Sequence, residues 1–277
     1  MADAKLLHKY EGNTLFLTIN NPKRANNLSA EVMAQMQDAI DKASIDDAVT
    51  TIVLTAVGKY FCTGMDLSSL ASLDSGPAFE AARANEERYQ SLARLFESIN
   101  SCPKITIALV NGSCYGGGNG LVFVTDIRIA VASARFILSE VKRGLTPAII
   151  SRFIVREWGP ALAREAMITG RGVSPQELHG FGGVHHIVEG IEEGRRKLGQ
   201  VLKELQTCAP GAQHQSKRLV NSVYEHDTDR SKDLIRRVFL DMTKPNVEAK
   251  HGVAEFQKGV KNIDWAAWSE GRKRVKL

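Results

Sequence analysis

Cysteine is scarce in this 277-residue sequence, and the four that occur have no C-x-x-C spacing. Closely spaced cysteines are typical of zinc sites and of small disulfide-linked folds, so the sequence favours neither class. It predicts reduced thiols in an intracellular protein, at Cys62, Cys102, Cys114 and Cys208. The histidines His179, His185 and His186 lack cysteine or carboxylate at ligand spacing, so no metal site is predicted.

Long apolar runs are also missing, because no uninterrupted stretch reaches the roughly 18 residues that a membrane span needs. The N-terminal MADAKLLHKYEG has no apolar core of the kind found in secretion signals. The formal net charge is only +5, and much of it lies in the final GRKRVKL. Neither a membrane nor nucleic acid is therefore predicted as a partner. The terminal Lys276-Leu277 matches the end of the peroxisomal S-K-L signal, so cytoplasmic and peroxisomal locations both stay open.

The most distinctive stretch is ITIALVNGSCYGGGNG, residues 105–120. Its apolar, largely β-branched start predicts a buried strand, Asn-Gly predicts a turn, and three glycines precede the start of an apolar helix. Unpaired amides at a helix start can hold negative charge, and glycine lets a ligand approach the backbone. The spacing fits neither a dinucleotide-binding motif nor a P-loop. Two interpretations stay open: an amide site for a carbonyl or oxyanion, or glycines that only allow tight helix–sheet packing.

Apolar strands, each followed by a turn and a helix, recur along the first half of the chain. Strands are predicted over 15–19, 51–55, 105–110, 127–131 and 136–138. Helices are predicted over 29–44 and 78–100, the second with an apolar face of Tyr89, Leu92, Leu95, Phe96 and Ile99. From Pro147 onward strands fade, and helices are predicted over 147–158, 160–168, 174–179, 189–206, 210–224, 229–242 and 246–260. The sequence thus predicts an α/β core, residues 1–195, and a helical region, residues 196–277, whose amphipathic helices favour self-association.

A second backbone site is predicted in FCTGMDL, residues 61–67, where Gly64 supplies a turn before a helix start. If the strands before this loop and before the glycine run lie side by side, the Met65 and Gly117 N–H groups can point at one carbonyl oxygen. Two such donors stabilise an enolate. A thioester is a suitable substrate because its α-carbanion is an enolate.

Six segments resemble, in order and spacing, the crotonase or enoyl-CoA hydratase/isomerase superfamily over about residues 10–190: NNPKRANNLS, KYFCTGMDL, PKITIALVNGSCYGGGNGL, TDIRIA, ARFILSEVKRGLTPA and AREAMITGRGVSPQEL. The resemblance implies an α/β fold, a crotonase-like spiral of ββα repeats with a C-terminal helical trimerisation region. It implies a homotrimer or homohexamer. It also implies an acyl-CoA substrate and no separate cofactor, with the thioester oxygen held by the amides of Met65 and Gly117.

The resemblance also assigns residues around the substrate. Contacts to the adenine and pantetheine of coenzyme A are expected from Arg24, Ala25, Thr63, Gly64, Asp66, Leu67 and Ser68. The acyl pocket is expected near Tyr115, Gly116 and Gly120, where Gly120 leaves space for a bulkier or polar acyl group. Lys258 and Lys261 resemble lysines that meet the coenzyme phosphates, the alternative being a solvated helix face.

The catalytic acids depart from the pattern of two-carboxylate hydratases. In those enzymes the first glutamate stands two residues after the glycine triplet, and here that position is Gly120. The resemblance assigns the second glutamate to Glu140. A carboxylate within FILSEV is desolvated and becomes a weaker acid, which suits proton transfer. The alternative is that Glu140 is an ion-pair partner of Arg143 or Arg152.

A single carboxylate can carry a proton between C2 and C4 of an acyl-CoA, which favours an isomerase. It can also add water if it acts as both base and acid. The segments GGGNGL and FILSEVKRGLTPA resemble a one-glutamate branch that includes hydratases and dehydratases. We therefore predict a hydratase-like lyase, with a Δ3,Δ2-enoyl-CoA isomerase or a pathway-specific dehydratase, decarboxylase or cyclase as alternatives. A non-catalytic protein of this fold that binds acyl-CoA or a partner is the alternative from a different class.

Overall fold

The computed structural model describes residues 4–65, 78–143, 145–225, 251–252, 254–255, 258–260, 263–265 and 267–268. The chain divides into two compact units, Met1–Lys197 and Leu198–Leu277. The helix predicted over 229–242 lies outside the described residues, and the helix predicted over 246–260 is described only in part.

Short strands alternate with helices through the first unit. In chain order they are β1 (Leu6–Glu11), β2 (Thr14–Ile19), α1 (Ala30–Ile45), β3 (Thr51–Ala56), β4 (Tyr60–Cys62), α2 (Ala78–Asn100), β5 (Ile105–Val110), β6 (Ser113–Tyr115), α3 (Gly117–Phe123), β7 (Ile127–Val131), β8 (Phe136–Ile137), α4 (Ser151–Thr169), β9 (Gly172–Val173), α5 (Pro175–Gly180) and β10 (His186–Val188). Helix α6 (Ile191–Gln206) spans the boundary between the units, and α7 (Pro210–Glu225) follows. Short 3₁₀ helices lie at Pro22–Arg24 and Ser139–Arg143.

From β3 to β8, consecutive strands alternate between two sheets. Within the described ranges the larger sheet has the order β1-β2-β3-β5-β7-β10, antiparallel at β1–β2 and parallel elsewhere. The smaller has the order β4-β6-β8-β9, parallel except at β8–β9. The pairs β3/β4 and β5/β6 each place one strand in each sheet before the chain enters a helix, and β7/β8 divide in the same way. This is the repeated ββα unit, and the expected α/β architecture is confirmed.

Helix α1 forms where its capping residue and apolar periodicity predict it. The Ser29 hydroxyl accepts the Val32 N–H at 3.3 Å, which satisfies a donor that the first turn leaves unpaired. The side chains at helical spacing are buried, namely Val32, Met33, Met36, Ala39, Ile40 and Ala43. The predicted helix over 29–44 is therefore confirmed to within one residue at each end.

In helix α2 the predicted apolar face is buried from Leu92 through Ile99. Tyr89 is 53% exposed, so its assignment to that face is wrong. Among the residues of α2 whose burial is described, the buried ones begin at Leu92, one turn after Tyr89.

The short strands are what the sequence pattern missed. Strands β9 and β10 follow Pro147, so the expectation that strands fade there is wrong. Two or three residues carry no readable alternation; these strands exist because β9 pairs with β8 and β10 pairs with β7. The helices predicted over 147–158 and 160–168 are one element, α4, broken at Gly159 with φ 73° just before Pro160.

The second unit has an aromatic cluster of its own. The Trp265 ring is buried and its Nε1–H donates to the Thr207 carbonyl at 3.2 Å. The His251 ring lies edge-on to Trp265 and stacks on Trp268, with centroid distances of 5.6 and 5.5 Å. None of the helices that the structure describes is long and apolar enough to span a membrane.

Candidate active site

The glycine run forms the turn that leads from β6 into α3. Gly116 has φ 46°, and its N–H donates to the Ile137 carbonyl at 3.0 Å. Helix α3 begins at Gly117, whose amide precedes the first intrahelical hydrogen bonds and stays available to a ligand. The strand–turn–helix predicted for this stretch is thus present.

The loop after β4 brings a second backbone segment to the same place. Gly64 has φ 80°, and its carbonyl accepts the Leu28 N–H at 2.8 Å. Leu28 and Met65 form an isolated parallel bridge. The Thr63 hydroxyl donates to the Ala25 carbonyl at 3.0 Å, which fastens the loop to the segment after the first 3₁₀ helix.

The two segments meet closely because Gly64 has no side chain at the point of contact. A Cβ atom at Gly117 would lie 3.7 Å from Gly64 Cα and 3.8 Å from Met65 N. A Cβ atom at Gly64 would lie 2.8 Å from Gly117 N and 2.7 Å from the Tyr115 carbonyl oxygen, which no real side chain tolerates. The backbones of Met65 and Gly117 are therefore neighbours.

Met65 and Gly117 line one cavity of about 490 Å³. One part of its wall is polar, formed by Tyr60, Thr63, Tyr115, Ser139, Glu140, Arg143 and Thr146. The rest is largely apolar, formed by Ala25, Leu92, Phe96, Leu145 and residues 147–150, with Gly116 beside Gly117. Such a cavity suits a ligand with an apolar part and a carbonyl group.

Glu140 is the one carboxylate among the described residues that line this cavity. Its Oε1 lies 2.9 Å from where a Cβ atom of Gly116 would be, so the carboxyl group rests on the glycine turn. Its Oε2 is buried and has no hydrogen-bond partner. Burial raises the pKa of Glu140, while its own backbone N–H and the charge of Arg143 lower the pKa by less. The group is therefore a stronger base than an ordinary glutamate when it is ionised.

The alternative role for Glu140, as an ion-pair partner, finds no support among the described contacts. Arg152 pairs with Glu97 instead. Arg143 donates from Nη1 to the hydroxyl and the carbonyl of Ser139, at 3.0 and 3.3 Å. Arg143 thus reaches Glu140 only through its electrostatic field.

Comparison with known proteins decides the family. The model of the enoyl-CoA hydratase/isomerase family matches residues 9–265. Enoyl-CoA hydratase ACTT6 of Alternaria alternata is 41% identical over 255 residues, which cover 92% of this chain and 82% of that protein. The chain belongs to the enoyl-CoA hydratase/isomerase family.

More distant members of this enzyme family agree. The 1,2-epoxyphenylacetyl-CoA isomerase of Escherichia coli strain K12 is 28% identical over 254 residues, 91% of this chain and 94% of that one. The crystal structure of an enoyl-CoA hydratase/isomerase from Marinobacter aquaeolei superposes with a TM-score of 0.84 at 28% identity, covering 95% of this chain and 99% of that one. The crotonase fold is therefore established for this chain.

Gly120 does not contribute space to the acyl pocket. A Cβ atom there would lie 2.5 Å from Ile150 Cγ2 and 2.8 Å from Phe96 Cζ. Gly120 is buried and is not among the cavity-lining residues. The expectation that it leaves space for a bulkier acyl group is wrong, because Phe96 and Ile150 already fill that space.

Only some of the residues predicted to contact coenzyme A line the cavity. Ala25 and Thr63 line the cavity, whereas Arg24 is exposed and Gly64 is buried in its turn, and neither lines it. Lys258 belongs to the second unit, where its Nζ donates to Glu255 at 2.7 Å. The remaining predicted contacts, Asp66, Leu67, Ser68 and Lys261, lie outside the described residues. Within the described part of the chain no group of three or more His, Cys, Asp or Glu side chains could hold a metal ion.

Sequence reasoning missed several lining residues. Phe96 and Leu92 were assigned only to the core face of α2, and residues 147–150 were assigned to the predicted helix over 147–158, which in the structure begins at Ser151. Tyr60 carried no signal except its place before the FCTGMDL loop. Asn26, with φ 54°, was also missed; its Nδ2 donates to the carbonyls of Val57 and Tyr60 at 2.8 and 2.7 Å and so shapes the neighbouring loop.

Proposed function

We propose that the protein is an enoyl-CoA hydratase-like enzyme that acts on an acyl-CoA thioester through an enolate. In this proposal the Met65 and Gly117 N–H groups bind the thioester oxygen, and Glu140 moves the proton. The observation that carries it is the desolvated carboxyl of Glu140, whose Oε2 has no hydrogen-bond partner, in the same cavity as the two neighbouring backbones.

The chemistry follows from charge. Removing a proton from C2, or adding water at C3, places negative charge on the thioester oxygen, and two preorganised backbone donors stabilise that charge. A base of raised pKa takes the proton and later returns it with a smaller penalty than an ordinary carboxylate. For hydration, Glu140 activates the water and then protonates C2.

Hydration is the first choice because the relative at 41% identity is named an enoyl-CoA hydratase. Isomerisation is the second candidate, and one specific observation favours it. With Phe96 and Ile150 packed over Gly120, Glu140 is the sole carboxylate that the described cavity wall offers. One base suffices to carry a proton between C2 and C4, whereas hydration with one carboxylate requires that group to act twice.

Incubation with crotonyl-CoA and with a 3-enoyl-CoA separates these reactions. Gain of one water, followed by mass spectrometry, identifies a hydratase, and a shifted double bond, followed by proton NMR, identifies an isomerase. Glu140→Gln is expected to abolish either reaction. Glu192→Gln is the matched control, since Glu192 pairs with Arg195 on the exposed surface of α6. No turnover by the wild type contradicts the proposal and favours a binding protein of this fold. Equal turnover by the wild type and Glu140→Gln contradicts the role proposed for Glu140.

Assembly as a homotrimer or homohexamer is part of the proposal. Val220, Val223 and Tyr224 lie on one face of α7 and are 59–66% exposed, and an exposed apolar stripe of this kind favours a subunit contact. Light scattering of the purified protein tests this, and a monomer at micromolar concentration contradicts it. The cytoplasmic or peroxisomal location stays a prediction.

A further inference from the structure

Asn119 is a fully buried polar residue that the proposed reaction does not use. It lies on α3, two residues after Gly117, and is 0% exposed. Its Nδ2 donates to the Ile137 carbonyl at 2.9 Å, while its Oδ1 is buried without a hydrogen-bond partner. A half-satisfied buried amide is costly, and an apolar side chain would fill the same space without that cost. The single hydrogen bond that Asn119 makes is therefore the feature to explain.

The Ile137 carbonyl is a junction between the strand and the glycine turn. It accepts two hydrogen bonds, from Gly116 N at 3.0 Å and from the Asn119 side chain. Ile137 ends β8, a strand of two residues that pairs with β6 over Cys114 and Tyr115 and with β9 over Gly172 and Val173. So short a ladder holds a strand weakly, and the two bonds to Ile137 are a large part of what ties β8 to the start of α3.

The same strand presents Glu140, because only Leu138 and Ser139 separate it from Ile137. Leu138 is fully buried, so a displacement of the end of β8 is passed on to the 3₁₀ helix that carries Glu140. At the other end of the connection, Gly116 is both the residue on which the Glu140 carboxyl rests and the neighbour of Gly117. Asn119 thus links the segment of the base to the segment of the amide donor.

We propose that Asn119 is a positioning residue: its side-chain amide holds the end of β8, which leads into the 3₁₀ helix that carries Glu140, against the helix that carries Gly117, and so sets the distance between base and thioester carbonyl. The proposal rests on the proposed function. Misplacing a reacting group by about 1 Å costs on the order of 100-fold in rate. Loss of the Asn119 bond is therefore expected to slow proton transfer about 10- to 100-fold while substrate binding is maintained.

Exchange of the C2 protons of butyryl-CoA in D₂O measures proton transfer by itself. Glu140 takes a C2 proton to form the enolate, exchanges it with solvent, and returns a deuteron to C2, so the mass of butyryl-CoA rises. Asn119→Leu replaces the amide with an apolar group of similar volume. We expect its exchange rate at saturating butyryl-CoA to fall about 10- to 100-fold, with the Kd for butyryl-CoA within threefold of the wild-type value. Glu140→Gln supplies the background rate.

Asn111→Ala is the matched control. Asn111 also donates from Nδ2 to a backbone carbonyl, that of Gly58 at 2.9 Å, and also has a buried Oδ1 without a partner, but it does not line the cavity. Its exchange rate is expected to stay within twofold of the wild-type rate. If circular dichroism shows that Asn119→Leu does not fold, Asn119→Ser decides the question, since a serine hydroxyl fits the space but is too short to make the Ile137 bond.

The outcomes are distinct. Exchange in the folded Asn119 variant within twofold of wild type overturns the positioning role, as does an equal loss in Asn111→Ala. A weakened Kd with an unchanged exchange rate at saturation also overturns it, because Asn119 would then serve binding. A wild-type rate no greater than that of Glu140→Gln overturns the proposed function itself, and the role of Asn119 with it.

Discussion

Replacing Gly64 with alanine tests the contact between the two backbone segments most directly. Gly64 has φ 80°, and a Cβ atom there would lie 2.7 Å from the Tyr115 carbonyl oxygen and 2.8 Å from Gly117 N. Both neighbours are backbone atoms, so neither can move aside by changing a rotamer. The methyl group must push the Met65 loop and the glycine turn apart.

The alanine is expected to lower both the stability of the protein and its activity, and the two effects can be measured separately. A left-handed backbone costs an alanine about 1–2 kcal/mol relative to glycine. Overpacking adds about 1–3 kcal/mol more. If the displacement removes one of the two amides from the thioester oxygen, the loss of about 2.7–4 kcal/mol of transition-state stabilisation lowers kcat/KM about 10²- to 10³-fold.

Gly182→Ala is the matched control for the backbone cost. Gly182 has φ 79°, but a Cβ atom there meets nothing within 4 Å, and the residue does not line the cavity. Urea unfolding and kcat/KM are measured for both variants. Gly182→Ala is expected to lose stability alone, and Gly64→Ala to lose more stability and most of its activity. The reasoning is refuted if Gly64→Ala is as stable as Gly182→Ala and retains kcat/KM within threefold of wild type.

Three further predictions concern single side chains. Burial raises the pKa of Glu140, and its ionised form is the base. A pH–rate profile should therefore show kcat/KM falling as the pH drops through that raised pKa, at a higher pH than for an ordinary glutamate. The Gly120→Glu variant should not hydrate faster than the wild type, and it should melt at a lower temperature, since a Cβ atom at position 120 meets Phe96 and Ile150. Adding Phe96→Ala to this variant should restore about 1–3 kcal/mol of the lost stability. Desolvation and the charge of Arg128 lower the pKa of His185 to about 4. Between pH 6.5 and 4 only the unfolded chain protonates this histidine, so the free energy of unfolding should decrease as the pH falls through that range. Urea titrations at several pH values measure this decrease.

For each of these three predictions, one experimental outcome would contradict it. A pH–rate profile that stays flat on the acid side would show that no carboxylate base acts in the rate-limiting step. A Gly120→Glu variant as stable as wild type would mean that Phe96 and Ile150 can move away. For His185, the control is His185→Gln, which should flatten the pH dependence of stability between pH 4 and 6.5; an unchanged slope would assign the proton uptake to another group.

Local sequence patterns were sufficient to predict the helices and strands that depend only on their own residues. Helix α1 begins where Ser29 can cap it, and β5 covers the apolar run that predicted it. The glycine turn before α3 was also predicted, because an apolar run, Asn-Gly and three glycines follow one another directly in the sequence. Tyr89 and the late strands β9 and β10 were misjudged, since burial and pairing there depend on residues far away in the chain.

The sequence by itself carried the resemblance to the family, because its motifs are local features, and that resemblance implied the ββα architecture and the three positions proposed for chemistry. Only the tertiary structure decided what surrounds them. Phe96 comes from α2 and Ile150 from the start of α4, and they close the space over Gly120 that the sequence had assigned to the substrate. Asn119 had no predicted role, and only the fold places its amide on the Ile137 carbonyl. Contacts between segments that are distant in sequence depend on how the sheets and helices pack, and no local pattern encodes them.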